Sequence, residues 1–268
     1  MYEAYWGLTI KPFENTPDPR FLYNDPQHEE ALSRLLYVVR EGKGAGMLTG
    51  VYGCGKTLLG RTLLRELEKD VYRVAYITNP RLDDVELLRM VAHGLGLPDL
   101  PTRKADVLVA LEKIFDENLR DGRRTVVVVD EAHAIEDVRL FEELRLLLNF
   151  QTEEKFLVTL FLLGQPELQP KVDSNKQLAQ RLAMRYQLDP LGAAHVRGYI
   201  EHRMQVAGSA RPVFTPEAVH VIFERSGGIP RRINHICDVS LLTGYSKNAA
   251  AVDRDIAREA IESLGGAG

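Results

Sequence analysis

Gly50-Val51-Tyr52-Gly53-Cys54-Gly55-Lys56-Thr57 is the stretch that decides how this chain folds. The octet matches G-x-x-x-x-G-K-[ST]. Its surroundings fit the match: Gly46–Thr49 reads as a short strand and Thr57–Leu67 as a helix. Glycines at these spacings let backbone N–H groups turn inward around phosphate oxygens, and the helix N-terminus adds a favourable dipole. Lys56 would reach the β- and γ-phosphates and the Thr57 hydroxyl would ligate Mg²⁺. Gly50, Gly53, Cys54, Gly55 and Leu58 complete the expected cradle.

The matching half of such a site lies about 75 residues further on, in Val126-Val127-Val128-Val129-Asp130-Glu131. The β-branched run Thr125–Val129 is too apolar for an exposed face, as expected of a strand buried on both sides. It ends in two carboxylates. Asp130 would hold Mg²⁺ through its water shell, and Glu131 would orient and polarise the attacking water. A glutamate directly after the metal-binding aspartate points to hydrolysis of a nucleoside triphosphate rather than to a small-molecule kinase. A nucleoside triphosphate with Mg²⁺ is therefore the expected ligand.

Neighbouring motifs narrow the class. Asp130-Glu131-Ala132-His133 spells a helicase signature, but a helicase of that type needs a second sheet domain, and only a helical segment remains. Asn175-Lys176-Gln177-Leu178 lacks the aspartate of the GTPase base-reading pattern, and no L-S-G-G-Q-like segment suggests a transporter.

Periodicity places these motifs in an alternating pattern. Helices are expected over Gln27–Glu41, Asp83–Leu95, Lys104–Leu119, Val138–Asn149 and Gln177–Met184. Further strands are expected over Arg73–Thr78, Phe156–Leu163 and Tyr186–Leu188. That alternation predicts an α/β fold with a five-stranded parallel sheet covered on both faces. After Pro190 the pattern becomes helical only: His195–Val206, Pro216–Arg225, Arg231–Leu242 and Val252–Leu264, followed by a glycine-rich tail, Gly265–Gly268. Three segments are expected: an arm over 1–26, a P-loop core over 27–190 and a small helical lid over 191–268. The arm carries six of the chain's twenty aromatic residues, too many for a disordered tail, and its prolines exclude a continuous helix. It reads as an extended arm that either only packs on a domain or also lies over a bound base.

Other polar positions are candidates by location. Arg231 opens a lid helix and could touch the γ-phosphate of its own subunit. Arg181 and Arg185 precede the fifth strand, where an arginine would complete a neighbouring subunit's site in a ring. Gln165 follows the fourth strand and could hydrogen-bond the attacking water. Thr78 and Asn79 end the second strand and could hold Glu131 away from water until a signal arrives. Cys54 is either a space-filler or, beside the helix dipole, a thiol whose alkylation inactivates. His133 simply ends its motif, and the other histidines show no metal-ligand spacing, so no metal beyond Mg²⁺ is expected.

Composition sets the outer limits. The chain has 268 residues, 45% hydrophobic and 27% charged, with net charge −4 and pI near 6.0. Nothing in that balance demands nucleic acid, and the segment after Pro190 carries nine Lys/Arg against eight Asp/Glu. Cys54 and Cys237 form no CxxC pair, which fits a reducing compartment. No apolar run is long enough to span a bilayer and no signal-peptide pattern opens the chain, so a cytoplasmic location is expected.

With these segments in place, the chain resembles the AAA+ ATPases of the ExeA/GspA type, found with type II secretion, with pilus biogenesis (MshM-like proteins) and in exopolysaccharide clusters. The likeness runs from Tyr5-Trp6-Gly7-Leu8, Pro12-Phe13 and Thr16-Pro17-Asp18-Pro19 through Gly50–Thr57, Asn79-Pro80 and Asp130-Glu131-Ala132. It continues through Gly164-Gln165-Pro166-Glu167-Leu168 and Leu178-Ala179-Gln180-Arg181-Leu182 to Gly228-Ile229-Pro230-Arg231-Arg232. The resemblance implies an AAA+ core with helical lid, ATP as the nucleotide and an ATP-bound homo-oligomeric, hexamer-like ring. It makes Gln165 sensor 1, Arg181 the trans arginine finger with Arg185 as second choice, Arg231 sensor 2 and Asn79 the polar switch. It also implies work in envelope assembly, with peripheral attachment at the inner membrane through a secretion or pilus partner. The alternative is a DNA-bound regulator of transposition, since TniB and TnsC belong to the same broad group. His133 stands where the family often has Gln, and Cys54 where Thr or Ser is commoner. Longer secretion members continue into a transmembrane segment and a peptidoglycan-binding domain, so the cell-wall function is not carried over.

Overall fold

The computed structural model describes residues 1–265, and the remainder of the glycine-rich tail, residues 266–268, lies outside the described residues. In chain order the elements are α1 (Glu3–Trp6), a 3₁₀ turn (Pro19–Phe21), α2 (Pro26–Arg40), β1 (Ala45–Gly50), α3 (Lys56–Glu66) and β2 (Tyr72–Ile77). Then come α4 (Asp84–Gly94), α5 (Lys104–Arg120), β3 (Arg124–Val129), a second 3₁₀ turn (Ala132–Ala134), α6 (Arg139–Leu147) and β4 (Val158–Gly164). The chain continues with α7 (Leu168–Ser174), α8 (Lys176–Arg181), β5 (Leu182–Leu188), α9 (Ala193–Val206), α10 (Pro216–Ser226), α11 (Pro230–Ser246) and α12 (Arg254–Ser263).

These elements group into two compact units. One comprises Pro26–Tyr52 and Leu59–Leu188; the other comprises Met1–Asp25, Gly53–Leu58 and the chain from Asp189 onward. The N-terminal arm and the residues Gly53–Leu58 thus group with the C-terminal helices.

The sheet unit holds five parallel strands in the order β2-β3-β4-β1-β5. Strand β3 pairs on both sides, and Val126, Val127, Val128 and Val129 are fully buried, which explains its unbroken β-branched run. Packed against one face lie Leu87, Leu88 and Val91 of α4, Leu111 and Phe115 of α5, and Phe141 and Leu144 of α6. Each such fully buried side chain contributes about 1.5–3 kcal/mol of burial free energy. Helix α4 starts at a capping box: the Asp83 carboxylate accepts from the Glu86 N–H at 2.7 Å, and Glu86 accepts from the Asp83 N–H at 3.0 Å. Because all five strands are parallel, Gly50, Asp130 and Gln165 emerge from the same edge of the sheet.

Two local readings change. The helix expected over Gln177–Met184 ends at Arg181, and β5 begins at Leu182 rather than Tyr186. Strand β5 is an edge strand with alternating burial, Met184 and Leu188 inward and Arg185 and Gln187 outward, so its pattern is weaker than that of the central strands. Helix α7, which sequence reading left out, is only 7 residues long and buries only Leu168 and Val172.

In the helical unit the arm is part of the core. It is not extended throughout: α1 and the first 3₁₀ turn interrupt it. Trp6 is 2% exposed and its Nε1–H donates to the Leu241 carbonyl at 3.0 Å. Tyr5 donates to the Ala249 carbonyl at 2.7 Å, and Tyr2 donates to the Asp238 carboxylate. The buried Arg203 of α9 ties down the middle of the arm, donating to the Pro12 and Glu14 carbonyls at 2.6 and 2.9 Å and lying 4.7 Å from the Phe21 ring centroid. Cutting Trp6 back to alanine leaves a cavity costing about 3–5 kcal/mol.

Candidate active site

Strand β1 ends at Gly50, and the phosphate loop follows. Gly53 and Gly55 have φ of +87° and +100°, a conformation that costs an L side chain about 1–2 kcal/mol. Space is also closed at Gly53, where a Cβ would lie 2.8 Å from the Arg231 Cβ. The Arg231 N–H donates to the Gly53 carbonyl at 3.2 Å, so the first turn of α11 is bonded to the loop backbone. Lys56 is 5% exposed and Thr57 half-buried, at the first turn of α3. Cys54 is fully buried. Its burial limits the access of an alkylating reagent to the thiol.

At the far end of β3 the sheet continues for one residue, with the Asp130 N–H donating to the Ile77 carbonyl at 2.8 Å. Asp130 is 2% exposed. Its Oδ2 accepts from the Tyr76 hydroxyl at 2.9 Å and its Oδ1 from the Glu131 N–H at 2.9 Å. Burial, and then the Asp130 charge, push the Tyr76 phenol well above its ordinary pKa, so it stays a proton donor.

Glu131 then takes a left-handed conformation, φ 53° and ψ 30°. Among the described residues the only other non-glycine position with positive φ is Asn248. The bend turns the chain into the 3₁₀ turn Ala132–Ala134 and leaves the Glu131 side chain 39% exposed beside the buried Asp130. Lys171 of α7 holds this turn, donating to the His133 and Ile135 carbonyls at 2.5 and 2.8 Å. His133 Nε2 lies 2.8 Å from the Gln165 amide and 3.6 Å from Glu131 Oε2. Gly164 permits this approach, because a Cβ there would lie 3.1 Å from the His133 backbone nitrogen.

The remaining candidates are placed as follows. Asn79 is exposed and its Oδ1 accepts from the Arg81 N–H at 3.3 Å. Arg181 donates to the Leu148 carbonyl and to Asn149 Oδ1, both at 3.0 Å, and lies over the Phe156 ring. Arg185 pairs with Asp173 at 2.6 Å. Sequence reading did not single out Tyr76 or Lys171, and took His133 as the mere end of a motif. The alternation of β2 shows that Tyr76 faces opposite Ala75 and Ile77; nothing local marks Lys171.

The donor chemistry fits a magnesium nucleotide. Magnesium takes oxygen ligands and keeps several waters, so it needs few protein groups, and a carboxylate such as Asp130 is of the right kind. Among the described residues no group of three or more His, Cys, Asp or Glu is arranged around a metal position, and such a site needs none. The glycine backbone at Gly53 and Gly55 is a cradle of the kind that binds phosphate.

A five-stranded parallel sheet with a phosphate loop after β1, an acid pair after β3 and a helical C-terminal part defines a P-loop NTPase fold of the AAA class. The chain belongs to the AAA domain family, which matches residues 39–172. It is 41% identical over 272 aligned residues to general secretion pathway protein A of Aeromonas hydrophila, covering 99% of this chain and 49% of that protein. The chain thus spans about half the length of that relative. Among solved structures it is similar to the Aeropyrum pernix ORC1 protein in complex with DNA, with TM-score 0.71 and 20% identity over 95% of this chain and 69% of that one. It is also similar to Cdc6p of Pyrobaculum aerophilum, with TM-score 0.70 and 17% identity over 92% and 71%. These last two likenesses are of fold. No helix among the described residues is long and apolar enough to cross a membrane.

Proposed function

We propose that the chain is an ATPase that binds ATP with Mg²⁺ and uses hydrolysis to drive or switch an oligomeric assembly. The observation that carries this reading is the acid turn: a buried, doubly hydrogen-bonded Asp130 is followed by a Glu131 held in left-handed backbone, on the sheet edge where the phosphate loop begins. Backbone strain of this kind persists where the surrounding structure enforces it and the side chain has work to do.

In this reading the loop N–H groups, with Gly50, Gly53, Cys54, Gly55 and Leu58, surround the phosphates, and Lys56 holds the β- and γ-oxygens. Thr57 and Asp130 hold the cation. Bound Mg²⁺ supplies charge neutralisation across the β- and γ-phosphates. Glu131 orients the attacking water and accepts its proton, and the Gln165 amide fixes the water's second hydrogen-bonding direction. Arg231, bonded through its backbone to Gly53, senses the γ-phosphate. Arg181 is the proposed trans arginine finger, with Arg185 second; to reach a neighbour, Arg181 exchanges its bonds to Leu148 and Asn149, and Arg185 its pair with Asp173. Asn79 is the proposed polar switch for Glu131.

The relationship to general secretion pathway protein A supports work in envelope assembly (secretion, pilus or exopolysaccharide), in the cytoplasm and at the inner membrane through a partner. Purified protein should release phosphate from ATP only with Mg²⁺, and its mass in solution should rise with a non-hydrolysable ATP analogue. Phosphate release unchanged by Glu131→Gln would remove the assignment. Salt-sensitive DNA binding that tightens with ATP would favour the transposition-regulator alternative over the envelope role.

A further inference from the structure

His133 sits where three features of the acid turn meet. Its ring nitrogen Nε2 is 2.8 Å from the Gln165 amide, placed with its nitrogen Nε2 toward the ring, and 3.6 Å from Glu131 Oε2. Its backbone carbonyl accepts from Lys171. Its other ring nitrogen, Nδ1, is buried and has no hydrogen-bond partner. A neutral imidazole carries one proton, and the two nitrogens differ in what they can do with it. A proton on Nδ1 leaves a buried N–H donor unmet. A proton on Nε2 leaves only a buried acceptor unmet, the milder defect, and supplies a donor where two acceptors lie close. The two ends of the Gln165 amide exchange by a half-turn, so hydrogen bonding decides which end faces the ring. With Nε2 protonated, Gln165 turns Oε1 toward it and aims its NH₂ away, as a donor for a water or phosphate oxygen.

We propose that His133 is a positioning residue that couples Glu131 to Gln165: its Nε2–H fixes the orientation of the glutamine amide, and the same edge of the ring stands 3.6 Å from the Glu131 carboxylate, whose placement it limits. This inference rests on the ATPase reading and adds a link within it. His133, from the same turn, is then a polar neighbour of the Glu131 carboxylate on that sheet edge. Asn79 is engaged with the Arg81 backbone. The coupling acts on turnover rather than on affinity, because the polar contacts of His133 run to Gln165, Glu131 and Lys171.

Steady-state ATP hydrolysis and binding of a non-hydrolysable ATP analogue by the full chain test this. His133→Phe should lower kcat by about 10²-fold, the cost of misplacing a catalytic group by roughly an ångström, with KM and analogue affinity unchanged. His133→Gln, whose amide can also donate to one neighbour and accept from another, should restore kcat to within about threefold. His133→Phe combined with Gln165→Ala should be no slower than the worse single variant, because both remove one linkage. A His133→Phe enzyme with normal kcat, a failure of His133→Gln to restore activity, or losses that multiply in the double variant would overturn the coupling. If His133→Phe folds poorly, His133→Ala takes its place in the same readings, and a normal kcat there overturns the coupling. Unchanged turnover in Glu131→Gln would instead strike the ATPase reading itself.

Discussion

Gly53 and Gly55 in the phosphate loop and Glu131 in the acid turn all adopt left-handed backbone, with φ of +87°, +100° and +53°. The loop reaches that conformation by having no side chain. Its function is carried by backbone N–H groups, and a Cβ at Gly53 would strike Arg231. The acid turn reaches it with a long charged side chain in place. Strain of about 1–2 kcal/mol is accepted there with the carboxylate kept, as the role proposed for Glu131 requires. The difference lies in what offsets the cost. In the loop nothing is needed. In the turn, two Lys171 hydrogen bonds and the Asp130 Oδ1 contact to the Glu131 N–H hold the bend.

That contrast can be broken at four points. Glu131→Gln keeps the bend and removes the base, so kcat for ATP should fall by about 10²–10⁴-fold while analogue affinity stays within a few-fold, read by phosphate release and calorimetry. Gly53→Ala adds both the left-handed strain and the clash with Arg231. Analogue binding should weaken by about tenfold or more and thermal stability should fall by about 2 kcal/mol, read by calorimetry and melting. Lys171→Met removes the donor from two carbonyls at once, costing about 2 kcal/mol and lowering kcat more than it raises KM. Tyr76→Phe leaves Asp130 Oδ2 without its phenolic donor and should cost about 1 kcal/mol in a chemical-denaturation series, with little change in kcat at saturating Mg²⁺. Equal losses of binding from Lys171→Met and Gly53→Ala would erase the contrast, since the turn would then be acting as part of the loop.

Much of this is legible in the sequence alone. Val126–Val129 announced a central strand because a segment buried on both faces has no polar alternation to hide it. The octet at Gly50–Thr57 and the acid pair after Val129 were legible because each is contiguous. Strand β5 was read too short and α8 too long because an edge strand with exposed Arg185 and Gln187 carries half the apolar signal. Lys171 was invisible because a lysine on a short amphipathic helix reads as solvated surface.

What the sequence determined by itself was therefore local: which segments are strands, where glycines replace side chains, and that two acids end an apolar strand. These follow from period and from adjacent residue types, which need no partner to be read. The tertiary structure alone decided that Lys171 staples the turn 36 residues before it, that His133 meets Gln165 across 32 residues, and that Arg203 fastens an arm some 190 residues away. Such contacts depend on how distant elements approach once the sheet has formed, and no periodicity along the chain encodes that approach.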